Sequence, residues 1–290
     1  MKIVITGNLG QLGRELQRTL QSTHTIIGVD LPDWDLTQPR EIDRLAGLHP
    51  DLVIHTAAMT DVDGCARDPL AAFRSNALAT QNVALTCQRA NAAMLHISTN
   101  EVFDGMKGSP YFEWDERRAI NPYGESKLAG EKFVELLLKR FYIVRIAWLY
   151  SAWRSNFVTK MIDLAKQNGT LSVVDDEIGN PTYAPDLARA ITQLIETNHF
   201  GIYHLVGEGI ASRYDWAERI VQLAGLQTPI ARAKLADYKR ASTPPSYGAL
   251  ANFVAATTLG IKLRPWQEAL QEYFANLKPL HRPQGQVSAT

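Results

Sequence analysis

The chain has 290 residues, 46% hydrophobic and 21% charged, with 30 Lys+Arg balanced by 30 Asp+Glu. That length buries a large core as one or two domains, and the even charge gives no field suited to nucleic acid or an anionic membrane. Two cysteines, Cys65 and Cys87, are too few for a disulfide framework and lack metal-ligand spacing, so both are expected as reduced thiols packed in helices.

The opening MKIVITG runs straight into an apolar strand, Lys2–Thr6, instead of a signal-length segment. No apolar stretch approaches the ~20 residues that span a bilayer, and the cytoplasm is the expected location. Directly after that strand comes Gly7-Asn8-Leu9-Gly10-Gln11-Leu12-Gly13, which opens a helix over Gln11–Gln21. Strand, glycine turn and helix together are the context a dinucleotide fingerprint requires. The first glycine allows the turn, the second lets backbone approach a pyrophosphate, and the third packs helix on strand. Gly7, Gly10, Gln11, Leu12 and Gly13 are therefore cofactor-binding candidates. The second strand, Thr25–Val29, is followed by Asp30, about 20 residues beyond the glycines, where an acid accepts from adenosine ribose hydroxyls. A carboxylate there repels a 2′-phosphate, which leans the expectation towards NAD over NADP. Asp35 and Leu36 follow on the loop where an adenine would sit.

A helix over Pro39–Leu48 leads to a third strand, Leu52–His55, and to Thr56-Ala57-Ala58-Met59-Thr60. Small Ala57 and Ala58 let a ribose and nicotinamide lie close to backbone. His55, with no second metal ligand in view, reads as a core or strand-end histidine. A helix over Ala71–Ala90 carries Asn76, suited equally to site support and to packing. The fourth strand, Met94–Ser98, delivers Ser98 and Thr99 to its carboxyl end, where ligands of open parallel sheets bind. A fourth helix, Asn121–Arg140, holds Tyr123 and Lys127 one turn apart on one face. An ammonium beside a phenol favours the phenolate, so the pair reads as an acid–base device with the tyrosine pKa drawn down. A fifth strand, Tyr142–Ile146, completes the alternation. Short branched strands buried on both faces, separated by amphipathic helices, predict an α/β fold: a Rossmann-like doubly wound parallel sheet. The expected division is 1–150 as cofactor domain, with 184–206 (helix Ala184–Asn198, strand Gly201–Val206) returning to it. Residues 151–183 and 207–278 form a smaller substrate-binding region, with helices at Phe157–Asn168, Tyr214–Ala224 and Trp266–Leu277. Pro279–Thr290 is expected to be a mobile tail.

These motifs coincide with a known family. GNLGQLG followed by RELQ, HTAAMTDVD, STNEVFDG, NPYGESKLAGE, RIAWLY and IGNPTYAPDLARAI together resemble the extended short-chain dehydrogenases, and within them the dTDP-4-dehydrorhamnose reductase family. The resemblance runs from the glycine motif to about Gly260. It implies NADH or NADPH delivering hydride to the C4 ketone of dTDP-4-dehydro-L-rhamnose to give dTDP-L-rhamnose. Tyr123 would donate the proton, Lys127 would lower its pKa and hold the nicotinamide ribose, and Thr99 would orient the carbonyl. By matching positions, Thr60, Val62, Asn100 and Trp148 would contact sugar or nucleotide, Thr60 on the cofactor side. Some relatives bind Mg2+ between subunits through glutamates; Glu15 matches one of these, the others have no match, and no metal site is assigned. A monomer or homodimer is expected.

The chain departs from the family pattern in two places. Asn100-Glu101 stand where the family reads Asp-Tyr, and Thr243-Pro244, with Gly248 in a serine's place, replace a stretch whose arginine could face a diphosphate. Two other readings therefore stay open. One is another extended short-chain enzyme, a nucleotide-sugar epimerase or dehydratase. The other is a non-catalytic regulatory subunit, related to the partner of methionine adenosyltransferase.

Overall fold

The computed structural model describes residues 1–277, so the expected tail at 279–290 lies outside the described residues. In chain order the first half is β1 (Lys2–Thr6), α1 (Gln11–Leu20), β2 (Thr25–Val29), α2 (Arg40–Ala46), β3 (Leu52–His55), α3 (Val62–Arg67), α4 (Pro69–Phe73), α5 (Ala79–Ala90), β4 (Ala93–Thr99), α6 (Pro122–Leu137) and β5 (Phe141–Ile146). Then follow β6 (Leu149–Tyr150), α7 (Phe157–Gln167), β7 (Leu171–Val174), β8 (Ile178–Gly179), β9 (Thr182–Tyr183), α8 (Ala184–Thr197), β10 (Gly201–His204), β11 (Ala211–Ser212), α9 (Arg213–Leu223), β12 (Ile230–Ala233), α10 (Phe253–Thr258) and α11 (Trp266–Leu277).

Six strands form one sheet in the order β10-β5-β4-β3-β1-β2, parallel at every pairing. Alternate side chains of each strand enter different cores, which is why the strands read as unbroken apolar runs. Ile3, Ile5, Leu52, Ile54, Leu95 and Val144 pack on the face covered by α1 and α8. Val4, Val53, Met94 and Ile143 pack on the face covered by α2, α5 and α6. This is the doubly wound Rossmann-like fold. Strand order reverses at β1, which has β2 on one side and β3 on the other; that reversal places a ligand crevice beyond the ends of β1 and β3. Among the described residues no helix is long and apolar enough to cross a membrane.

The helix expected over 71–90 begins at Pro69 and is interrupted by a π-helical turn at Arg74–Leu78. Asn76 lies in that turn: its Oδ1 accepts from Met59 N (2.8 Å), and its Nδ2 donates to Met59 O (3.0 Å) and Ser126 Oγ (2.9 Å). Single π turns concentrate at functional sites because they re-aim one side chain. The remaining strands pair in twos, β6 with β9, β7 with β12 and β8 with β11. Around them Tyr150, Tyr183, Trp216, Trp266 and Tyr273 form an aromatic core beneath α7, α9 and α11.

A buried ion network fixes α6 on the sheet. The Glu131 carboxylate, fully buried, accepts from Arg145 Nε and Nη2 (both 2.9 Å), from Arg117 Nη1 (2.9 Å) and from Ser98 Oγ (2.5 Å). Arg145, on β5, is itself only 1% exposed. Removing one partner of such a pair strands the other charge without water. Arg145→Met is therefore expected to lower unfolding free energy by about 3–5 kcal/mol, measured by urea denaturation.

Candidate active site

The nucleotide end is built by β1, α1 and β3. Gly7 takes φ +70°, and a Cβ added there would stand 2.6 Å from Ala57 N; one added at Gly13 would stand 2.3 Å from Gly7 O. Only glycine leaves this surface open to a ligand's backbone approach. The turn is closed by Gly10 N donating to Gly7 O (3.0 Å). A cleft of about 630 Å³ runs from here past Ala57 and Ala58 to Asp30, Asp35 and Leu36. Asp30 accepts from Leu9 N (3.0 Å) and Leu31 N (2.9 Å), which fixes its carboxylate at the cleft. Asp35 is tied to Thr37 and Gln38, and the Thr37 hydroxyl in particular holds its carboxyl below the usual range. A glycine cradle, a helix N-terminus and a fixed acid at the second strand fit a dinucleotide.

The chemical end is built by β4 and α6. Asn121 caps α6, its Oδ1 accepting from Gly124 N (2.8 Å), with Pro122 in the first helical position. Tyr123, Lys127 and Glu131 follow at four-residue intervals and lie along the end of β4. A cavity of about 310 Å³ is lined by Gly10, Gln11, Leu12, Thr60, Ser98, Tyr123 and Lys127, and it shares Gly10, Thr56, Ala58 and Arg154 with the nucleotide cleft. The two cavities therefore abut. Gln11 also accepts from Ser151 Oγ (2.9 Å), which joins the start of α1 to the chain after β6.

Strand alternation separates the two hydroxyls at the end of β4. Ser98 is spent on Glu131, while Thr99, buried, donates to Asn100 Oδ1 (3.3 Å) and accepts from Glu101 N (3.2 Å). Lys127 Nζ donates to Ile97 O (2.7 Å) and lies 3.5 Å from His96 Nε2. Burial lowers Lys127 to about 8, against the opposing pull of Glu131. Tyr123 moves the other way from the sequence expectation. Burial and then the charge of Glu101 raise its phenol well above the usual range, with the Thr99 hydroxyl opposing. The lysine is turned to the strand carbonyl, and the phenol, held up by burial and Glu101, keeps its proton at neutral pH. His55 is a core histidine, between Thr6 Oγ1 (2.6 Å) and Thr80 Oγ1 (3.1 Å), and burial drops it to about 3. Cys65 and Cys87 are free thiols buried in α3 and α5.

The other candidates lie around this cavity rather than in its wall. Val62 opens α3. Trp148, at φ +44°, has the Arg213 guanidinium 3.7 Å above its ring and stacks on Trp216 at 5.6 Å. Asn100 donates from Nδ2 to Gly248 O (3.1 Å), and a Cβ at Gly248 would stand 2.4 Å from that nitrogen. Glu15 accepts from Trp153 Nε1 (2.7 Å) and Arg18 Nε (2.9 Å).

A sequence-family model described as "RmlD substrate binding domain" matches residues 1–278. A spore coat polysaccharide biosynthesis protein, SpsK of Bacillus subtilis, is 37% identical over 275 residues, which span 94% of this chain and 96% of that protein. The crystal structure of a dTDP-4-dehydrorhamnose reductase from Clostridium acetobutylicum superposes with a TM-score of 0.94 at 38% identity, covering 96% of this chain and all of that one. The chain belongs to the dTDP-4-dehydrorhamnose reductase family. The family member from Bacillus anthracis, solved in complex with NADP, is 34% identical with a TM-score of 0.92, over 95% of this chain and 99% of its own.

Asn100 and Gly248, one residue from each of the two stretches that depart from the expected pattern, meet in one contact. An aspartate at position 100 has no proton to give the Gly248 carbonyl, and a side chain at 248 would occupy the space of the Asn100 amide. Sequence reasoning passed over Glu131, Arg145 and Asn121. Signals existed for all three: Glu131 lies one turn beyond Lys127, Arg145 is a charge inside a buried strand, and Asn121-Pro122 is a capping pair. Asn100→Asp is expected to cost about 1–3 kcal/mol by leaving that buried acceptor unpaired, read in thermal or urea unfolding.

Proposed function

We propose that this chain reduces the 4-keto group of dTDP-4-dehydro-L-rhamnose to dTDP-L-rhamnose with NADH or NADPH. The observation that carries the reading is the placing of Tyr123 and Lys127 in the wall of a cavity that abuts the glycine cradle, with Thr99 buried at the end of β4 beside the lining residue Ser98, in a chain of this family. A bound nicotinamide supplies the hydride and the electrons; the residues supply a proton, orientation and charge. Tyr123 holds its proton at Oη because burial and Glu101 keep the phenol neutral, which suits an acid facing a carbonyl oxygen that gains negative charge. Lys127 stays cationic at neutral pH and offers its remaining N–H groups to ribose hydroxyls while anchored to Ile97 O. Thr99 directs its hydroxyl to the same carbonyl when it exchanges Asn100 for substrate. Thr60, Val62 and Trp148 are assigned to the substrate and cofactor rim by family position, and Asn100 acts through Thr99 and the Gly248 loop.

Asp30 supports a preference for NADH, since its carboxylate is fixed by two backbone N–H groups beside the ribose end of the cleft. Asp30→Ala is expected to shift the ratio of kcat/KM for NADH over NADPH towards NADPH by about tenfold, ~1.4 kcal/mol. An unchanged ratio counts against the assignment.

Loss of reduced-cofactor absorbance on adding dTDP-4-dehydro-L-rhamnose tests the activity itself. Tyr123→Phe is expected to lower kcat by about 10²–10⁴-fold, the usual weight of a positioned acid, while cofactor affinity by fluorescence titration stays near the wild-type value. Appreciable turnover in that variant would remove Tyr123 from the acid role.

A further inference from the structure

The chain after β6 faces the start of α1 along the line where the two cavities meet. Four residues belong to the walls of both cavities: Gly10, Thr56, Ala58 and Arg154. Arg154 is the charged one. It stands on the segment 151–156, between β6 and α7, and that segment is fastened to the first two turns of α1. Ser151 Oγ donates to Gln11 Oε1 (2.9 Å), and Trp153 Nε1 donates to Glu15 Oε1 (2.7 Å). The Arg14 guanidinium lies 5.6 Å from the centre of the Trp153 ring. Asn156 then closes the segment on itself, its Nδ2 donating to Ser151 O (2.6 Å) and to Arg154 O (2.9 Å). The backbone on which Arg154 rides is thus held from both ends. Its side chain is exposed and, among the described residues, makes no hydrogen bond or ion pair. Glu15, the acid this segment touches, is already engaged by Trp153 and by Arg18 Nε (2.9 Å). Opposite the segment, α1 starts with no side-chain cap and no acid in its first turn, so its free N–H groups and the positive end of its dipole are uncompensated.

We propose that Arg154 clamps the diphosphate of the nicotinamide cofactor, so that the segment between β6 and α7 completes the dinucleotide site from the side facing the glycine turn. The inference rests on the ketoreductase reading for the identity of the cofactor. A dinucleotide that lays one nucleoside in each of two abutting cavities has its diphosphate at their junction, and Arg154 lies at that junction. The charges agree. Asp30 and Asp35 at the adenosine end suit hydroxyls and repel phosphate. Arg14, the other cation of the nucleotide cleft, is bound to Leu9 O (3.0 Å). Lys127, the other cation of the catalytic cavity, is anchored to Ile97 O. Arg154 is the cation left to meet the diphosphate, and a guanidinium presents paired N–H donors that match phosphate oxygens. It touches no reacting atom and serves as a binding residue.

Binding measured without turnover tests the proposal. Arg154→Ala is expected to raise the Kd of NADH, of NADPH and of ADP-ribose by a common factor of about ten, the low end for a charge-assisted hydrogen bond because the segment is open to solvent. ADP-ribose carries the diphosphate without the nicotinamide, so an equal loss locates the contact. The Kd of dTDP, which also carries a diphosphate but belongs to the sugar nucleotide, should stay at the wild-type value and shows that the variant is folded. Arg154→Lys keeps the charge and should recover part of the loss. Added salt should weaken NADH binding less steeply in Arg154→Ala than in wild type. Unchanged affinity for NADH and ADP-ribose in Arg154→Ala overturns the proposal. A loss confined to dTDP assigns the cation to the sugar nucleotide and overturns it too, as does an equal loss for dTDP and ADP-ribose, which marks a general effect of charge or folding. If wild type consumes NADH or NADPH with the sugar while Arg154→Ala binds both as tightly, the proposal alone fails. If wild type binds neither dinucleotide, the ketoreductase reading fails and the proposal with it.

Discussion

A carboxylate sealed under the sheet fixes the helix that carries the candidate catalytic pair. Glu131 binds two arginines and a serine with no solvent in reach, and an arrangement of that kind has one low-energy geometry, because any sliding exposes an unpaired charge in a medium that cannot solvate it. Ser98 comes from β4, Arg145 from β5, and Glu131 from α6. The network thus fixes the helix to two strands at once. Lys127 and Tyr123 lie one and two turns earlier on the same helical face, so the register of the ion network becomes the register of the candidate site. The helix is stapled again at its other end, where Asn121 caps its first turn and reaches Glu101 and the Thr243 carbonyl.

The same logic applies to Asn76. It lies in the π turn, where its amide reaches both backbone groups of Met59 and Ser126 on α6. The loop after β3, which forms one wall of both cavities, is therefore held from the helix side. Rigid elements position the candidate groups, and the loops are tied to them by single polar side chains.

Much of this architecture was legible in the residues themselves. The five first strands and most helices followed from apolar runs and periodicity, because a sheet buried on both faces tolerates few polar residues and marks itself. The glycine cradle and the Tyr123–Lys127 pair were visible from spacing. Less visible were features that depend on what lies opposite. The two- to four-residue strands β6 to β9, β11 and β12 are too short to show an alternation. The direction of the Tyr123 pKa was misjudged, since four-residue spacing reports a shared helix face but not the burial or the Glu101 charge that dominate. Asn100 and Gly248 looked like two unrelated departures, 148 residues apart, until the fold set one against the other.

That last pair limits how this chain can be changed at either position. Replacing Asn100 alone sets a carboxylate against a carbonyl; enlarging Gly248 alone drives a side chain into the amide. Either single change is expected to lower stability, so the two positions should tolerate substitution together rather than one at a time. Because Asn100 also accepts the Thr99 hydroxyl, a loop from the far end of the chain helps set where that candidate hydroxyl points.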